Sequence, residues 1–230
     1  MSEETLTSTP QLPKSRKLII TLAGIAMMSG LLVVLTFQLT LPRITQNRKN
    51  ALEKAIFTVL PDAVARTNYL LDESGLAELP DEDFAKANVF AGYDSNGKLS
   101  GLAMEASARG YQDVVKILYG YSPETECVVG FTVLESRETP GLGDKVETDF
   151  EFLLNFECLD ARLTPDGSAV ANPIHTVKNG KKTDDWQIDA ISGATITSNA
   201  IGKALESSTT EMLPLLAKNK SSLKLTLQTN

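Results

Sequence analysis

The chain has a single histidine, His175, and only two cysteines, Cys127 and Cys158, with no Cys-x-x-Cys spacing. That scarcity removes the donor sets of a zinc-type site and the Cys–His pair of a thiol catalyst. No Ser/His/Asp group, paired acids or metal-ligand cluster stands out, which argues against a free-standing enzyme with its own substrate site. Basic charge is also short: residues 51–230 hold 27 acidic against 16 basic residues, while the first fifty hold six basic against two acidic. An acidic body with its basic excess confined to one end is a poor ligand for nucleic acid. The two cysteines are either buried thiols or one disulfide, and the burial habit of free cysteine favours the thiols.

Charge is missing altogether from Leu18 to Pro42, a run of 25 residues. Its apolar centre is long enough to cross a bilayer core of about 30 Å as a helix. A cleaved signal peptide has a shorter apolar core and a small-residue cleavage site, and neither is evident. No cysteine lies near it for lipid attachment. The expectation is a retained single-pass anchor at 18–42, behind a polar tail at 1–17 and ahead of a folded domain at 43–230. Lys14, Arg16 and Lys17 flank one side and Arg43, Arg48 and Lys49 the other, so charge does not choose an orientation.

Beyond the anchor, apolar residues from Ala51 to Leu60 recur with a helical stripe that Pro61 ends. From Pro61 to Ala87 the chain is acidic and weakly patterned, which predicts short helix and loop. Asn88–Tyr93 and Lys98–Glu105 flank Asn96-Gly97, the dipeptide best suited to a tight hairpin. Val114–Tyr119 and Cys127–Leu134 form a second candidate hairpin around Pro123, rich in β-branched and aromatic residues. A helix over Phe150–Cys158 follows, with Phe150, Leu153, Leu154 and Cys158 on its apolar face. Leu163–Gly180 reads as short strands and turns, and Trp186–Asp189 as a short strand. The region after Met212, with Pro214, reads as a polar tail in which Leu223, Leu225 and Leu227 alternate weakly. The class is α+β: a transmembrane helix, then an antiparallel sheet with packed helices.

Two stretches carry candidate chemistry. Asp189-Ala-Ile-Ser192-Gly193-Ala194-Thr195-Ile-Thr197-Ser198 crowds small and hydroxylated residues just ahead of a helix, for which Thr197, Ser198 or Asn199 can supply the N-cap oxygen. A helix N-terminus offers unpaired N–H groups to a phosphate, and Gly193 and Ala194 leave steric room beside the Thr195 hydroxyl. Ser192, Thr197 and Ser198 are competing hydroxyls that spacing alone does not exclude. In Glu138-Thr139-Pro140-Gly141-Leu142-Gly143-Asp144-Lys145, the proline and glycines force an irregular backbone whose N–H groups are accessible to a ligand. Either stretch in isolation is an ordinary turn.

Together they are more specific. Asp189-x-x-Ser192-Gly193-Ala194-Thr195 resembles the flavinylation motif Asp-x-x-(Ser/Thr)-Gly-Ala-Thr of FMN-binding domains. With the Glu138–Lys145 loop upstream and one anchor at the N-terminus, the chain resembles the G subunit of the Rnf electron-transport complex. It is similar, more distantly, to the C subunit of the sodium-pumping NADH:quinone oxidoreductase. The resemblance implies FMN joined by a phosphoester to Thr195 by a flavin transferase. It also implies a domain on the periplasmic side of the bacterial inner membrane, and membrane subunits as partners in a ferredoxin:NAD oxidoreductase that moves ions. The protein itself would be an electron carrier. Thr139, Gly141, Leu142 and Gly143 are then expected to face the flavin, Gly193 and Ala194 to give it room, and Asp189 to serve the transferase reaction. Related domains often have histidine two residues before the loop, where this chain has Ser136. The competing readings are the quinone-reductase component and a flavin-free membrane-anchored binding or assembly module.

Overall fold

The computed structural model describes residues 15–223. Most of the polar tail at 1–17, and Leu225 and Leu227, lie outside the described residues. The chain divides into two units, Met1–Arg48 and Lys49–Asn230. The described part of the first unit is helical: α1 spans Ser15–Val59 without interruption, Pro42 included. A window of this helix has a mean hydropathy of 2.6 and no buried residue, so it is long and apolar enough to cross a membrane. The separate helix expected at 48–60 is therefore the C-terminal end of α1.

In the second unit seven strands form one antiparallel sheet. They are β1 (Ala65–Asp72), β2 (Gly75–Leu79), β3 (Val89–Tyr93), β4 (Leu99–Arg109), β5 (Val114–Ser122), β6 (Cys127–Glu135) and β7 (Leu159–Asp160), in the order β2-β1-β3-β4-β5-β6-β7. Both expected hairpins are present as β3–β4 and β5–β6. The first pair, β1–β2, replaces the helix and loop expected between Pro61 and Ala87, with only a 3-10 segment, Asp81–Lys86, following it.

Each face of the sheet is covered by a helix, because side chains of opposite parity in each strand are apolar. Val89, Ala91, Met104, Ile117 and Tyr119 face the core beneath α3 (Thr195–Lys218), which contributes Ile201, Ala204 and Leu205. Phe90, Ala103 and Leu118 face Ile56, Val59 and Leu60 near the end of α1, with Ala63 and Phe84. That second layer lies unusually close to the strands. A Cβ on Gly120 would stand 2.6 Å from the Val59 carbonyl oxygen, and one on Gly101 2.6 Å from a Leu60 methyl.

The chain between β6 and α3 carries the remaining short elements. The 3-10 segment Gly143–Glu147 leads into α2, which spans only Phe150–Leu154 and is capped by the Asp149 side chain on the Phe152 N–H at 3.0 Å. The expected helix to Cys158 is cut short, and its inner face is the other one: Phe152 and Phe156 are buried against Phe131, whereas Phe150 is 73% exposed. Cys158 is exposed and bonded to Cys127 across a Cα–Cα distance of 5.0 Å, which corrects the expectation of buried thiols. The cause is strand pairing: Cys127 stands opposite Asp160 in the β6–β7 ladder, so the returning chain brings Cys158 beside it. Finally β8 (His175–Val177) and β9 (Gln187–Asp189) make a two-stranded parallel pair that delivers the chain to α3. Pro214 lies inside α3 and the helix continues to Lys218, where a polar tail had been expected.

Candidate functional site

The turn between β9 and α3 is built from its own side chains. Ser198 Oγ accepts the Ile191 N–H at 3.1 Å and donates to the Ala194 carbonyl at 3.0 Å, clasping the turn shut. Gly193 occupies the left-handed region at φ 85° with open space around it, a conformation that strains any residue with a Cβ. The helix starts earlier than expected. Ala194 holds the cap position and offers no side-chain oxygen, so Thr197, Ser198 and Asn199 are helical residues rather than caps. The first-turn N–H groups thus have no side-chain cap and remain for water or an anion.

The hydroxyls of this turn differ sharply. Thr195 is exposed, and its Oγ1 makes only a long 3.4 Å contact to the Ile191 carbonyl. Thr197 is buried and donates to Glu138 Oε2 at 2.5 Å. Ser198 is fully buried in the clasp. Ser192 is exposed but does not line the cleft described below.

Glu138 is the residue on which the opposite wall depends. Its carboxylate accepts the Gln112 N–H at 2.9 Å and the Tyr111 N–H at 3.1 Å in addition to the Thr197 hydroxyl. Burial pushes this carboxyl up, but the bonds from Thr197 and from the Gln112, Tyr111 and Asp113 amides outweigh it. The group is held below the usual carboxylate range. Two glycines make the burial possible. A Cβ on Gly143 would lie 2.5 Å from Glu138 Cβ, and one on Gly110 2.6 Å from Glu138 Oε1. The loop then folds back on itself, with the Leu142 and Gly143 N–H groups both donating to the Thr139 carbonyl and Gly141 at φ 79°.

These two walls enclose a cleft of about 430 Å³ lined by Tyr111, Glu138, Thr139, Leu142 and Gly143 on one side and Gly193 to Thr197 on the other. Its volume is that of a small-molecule site, and exposed Tyr111, Leu142 and Ile196 give it an apolar rim. Of the residues singled out in the sequence, Thr139, Leu142, Gly143, Gly193, Ala194 and Thr195 line it; Gly141, Ser192 and Asp189 do not. The Asp189 carboxylate instead accepts the Gly180 N–H at 2.9 Å and the Lys181 N–H at 3.4 Å, closing a neighbouring turn. Asn155 holds the Asp189 backbone from the other side, accepting its N–H at 3.0 Å. Tyr111, Ile196 and the central place of Glu138 were missed in the sequence. Glu138 opens the Pro-Gly loop but sits among polar residues, Ser136, Arg137 and Thr139, so nothing local marked it out. Among the described residues no group of three or more His, Cys, Asp or Glu side chains is placed to hold a metal.

The cleft suits a phosphorylated ligand with an apolar body: an uncapped helix terminus and the exposed Thr195 hydroxyl at one end, apolar side chains along the rest.

Residues 110–209 match the FMN-binding domain family, a span that contains both walls. The G subunit of the ion-translocating oxidoreductase complex of Aliivibrio fischeri is 32% identical over 194 residues, covering 83% of this chain and 87% of its own length. The G subunit of the corresponding complex of Methanosarcina acetivorans is 29% identical, covering 83% of this chain and 90% of its own. The crystal structure of the C subunit of Na(+)-translocating NADH-quinone reductase from Parabacteroides distasonis aligns with a TM-score of 0.58 at 19% identity. It covers 79% of this chain and 98% of that one, a likeness of fold.

Proposed function

The chain belongs to the family formed by the G subunits of ion-translocating oxidoreductase complexes, and on that premise we propose that it is a membrane-anchored electron carrier holding FMN by a phosphoester to Thr195. One observation carries the reading. Two stretches some fifty residues apart in sequence, the Thr139–Gly143 loop and the Gly193–Thr195 turn, form the two walls of one cleft. The only hydroxyl of the turn that is both on that cleft and exposed belongs to Thr195.

In this reading the Thr195 oxygen forms a bond to the FMN phosphorus of a flavin dinucleotide while the pyrophosphate bond breaks. The nucleoside monophosphate leaves, and the hydroxyl proton passes to a base on the flavin transferase. The uncapped N–H groups of α3 would hold the phosphate, Gly193 and Ala194 would leave room for it, and Leu142, Ile196 and Tyr111 would supply apolar contact to the ring. Bound FMN supplies one- and two-electron chemistry, and the protein supplies orientation and electrostatics. Asp189 serves by shaping the turn that precedes the motif. The apolar part of α1 anchors the domain to the inner membrane, and the domain stands on the periplasmic side. There it relays electrons among the membrane subunits of an Rnf-type ferredoxin:NAD oxidoreductase. The Cys127–Cys158 bridge supports an oxidising compartment.

The test is the intact mass of the protein made with and without a flavin transferase. The expected result is one FMN increment on the native chain and none on Thr195→Val, with Thr197→Val still labelled. An increment surviving on Thr195→Val, or mapping to Thr197, overturns the assignment.

A further inference from the structure

We propose that Glu138 is a positioning residue for flavin attachment, holding the first turn of α3 through the Thr197 hydroxyl so that the Thr195 oxygen is the one offered to the phosphorus; this rests on the attachment proposed above. Thr195 and Thr197 lie two residues apart on one helical turn and both line the cleft, Thr195 exposed and Thr197 buried against Glu138, so the set of the turn decides which hydroxyl is accessible. No side chain caps this terminus, and Thr195 itself is tied only by a 3.4 Å contact. The Ser198 clasp holds the turn from within, and on the cleft side it is held by the 2.5 Å bond from Thr197 to Glu138, whose carboxylate is in turn fixed by two amides of the 111–112 segment. Glu138 is 8% exposed, and Gly110 and Gly143 pack against it without room for a Cβ, so it has no alternative place to swing. The same bond takes the Thr197 hydroxyl out of competition as a nucleophile.

The experiment uses the full chain in detergent with a flavin transferase, Mg²⁺ and flavin adenine dinucleotide, following the FMN mass increment with time and mapping it by peptide. On the native chain the increment falls on Thr195. Glu138→Gln and Thr197→Val are expected to slow its appearance about tenfold each, while Thr197→Ser, which keeps the hydroxyl, loads at the native rate. Because the two residues act through one bond, the double variant Glu138→Gln/Thr197→Val is expected to be no slower than either single variant. Native loading rates in both single variants, or a double variant slowed by the product of the single effects, overturns the positioning role. If Glu138→Gln does not fold, the comparison of Thr197→Val with Thr197→Ser decides, since equal rates for those two exclude the bond. A native chain that gains no increment at all while a known flavoprotein substrate is labelled refutes the attachment itself, a different outcome from either of these.

Discussion

At the scale of single residues, Glu138 couples the cleft to the stability of the domain. Its carboxylate accepts hydrogen bonds from the buried Thr197 hydroxyl and from two part-buried amides, so removing it leaves all three without that acceptor. Glu138→Ala is expected to cost roughly 2–3 kcal/mol in denaturant unfolding. Because the folded carboxyl lies below its ordinary value of 4.5, its contribution is fully present above that value. It is lost as pH falls through the lower, folded value. The melting temperature of the native protein should therefore drop on acidification below about pH 4.5, and the drop should be shallower in Glu138→Gln. An equal slope in both would assign the acid sensitivity elsewhere. The choice between Thr195 and Thr197 shows what the sequence could and could not convey at this scale. Motif spacing singled out a stretch that lines the cleft, but the Glu138 partner of Thr197 is 59 residues away, and no local pattern announces it.

At the scale of elements, legibility followed how local the causes were. The β3–β4 hairpin has its own turn signal at Asn96-Gly97, with Gly97 at φ 74°, and was readable. The strand β1 was not, because its polar positions look like loop. Asn68 is buried, and the Arg66 side chain is 7% exposed. They are satisfied by Asp81 and Glu53 from distant segments, with the Arg66 guanidinium 4.5 Å from the Phe84 ring centroid. The inner face of α2 was misjudged for a similar reason: a helix of five residues is too short for periodicity to outweigh the pull of Phe131 on Phe152 and Phe156. Glycines in the strands have a definite cause here. Gly120→Ala would force a methyl against the Val59 backbone, which cannot move without lifting the end of α1 off the sheet. The expected loss is about 1–3 kcal/mol, read from the urea midpoint. Gly130→Ala offers a contrast, since open space surrounds it and the only penalty is its positive φ of 157° at the margin of extended backbone.

At the scale of the whole molecule, the reading of a periplasmic domain behind one anchor is testable by fusion. A reporter that works only outside the cytoplasm, joined after residue 60, should be active; activity of a cytoplasmic reporter at the same place would reverse the orientation. The Cys127–Cys158 bridge belongs to this scale as well, since it spans a sequence separation of 31 residues. Closing a loop of that length stabilises by roughly 3–4 kcal/mol in the chain-entropy description, so a reductant should lower the melting temperature of the native protein but not of Cys127→Ser/Cys158→Ser. The bridged segment includes Glu138 and the whole Thr139–Gly143 wall, whereas Thr195 lies outside it. Biogenesis is thereby given a direction: a chain that crosses the membrane as a reduced thread has one half of its cleft untethered until an oxidant has acted. If the chain is exported and flavinylated as proposed, flavin loading falls late in maturation, after thiol oxidation, and cells deprived of their extracytoplasmic thiol oxidant should accumulate the unlabelled protein.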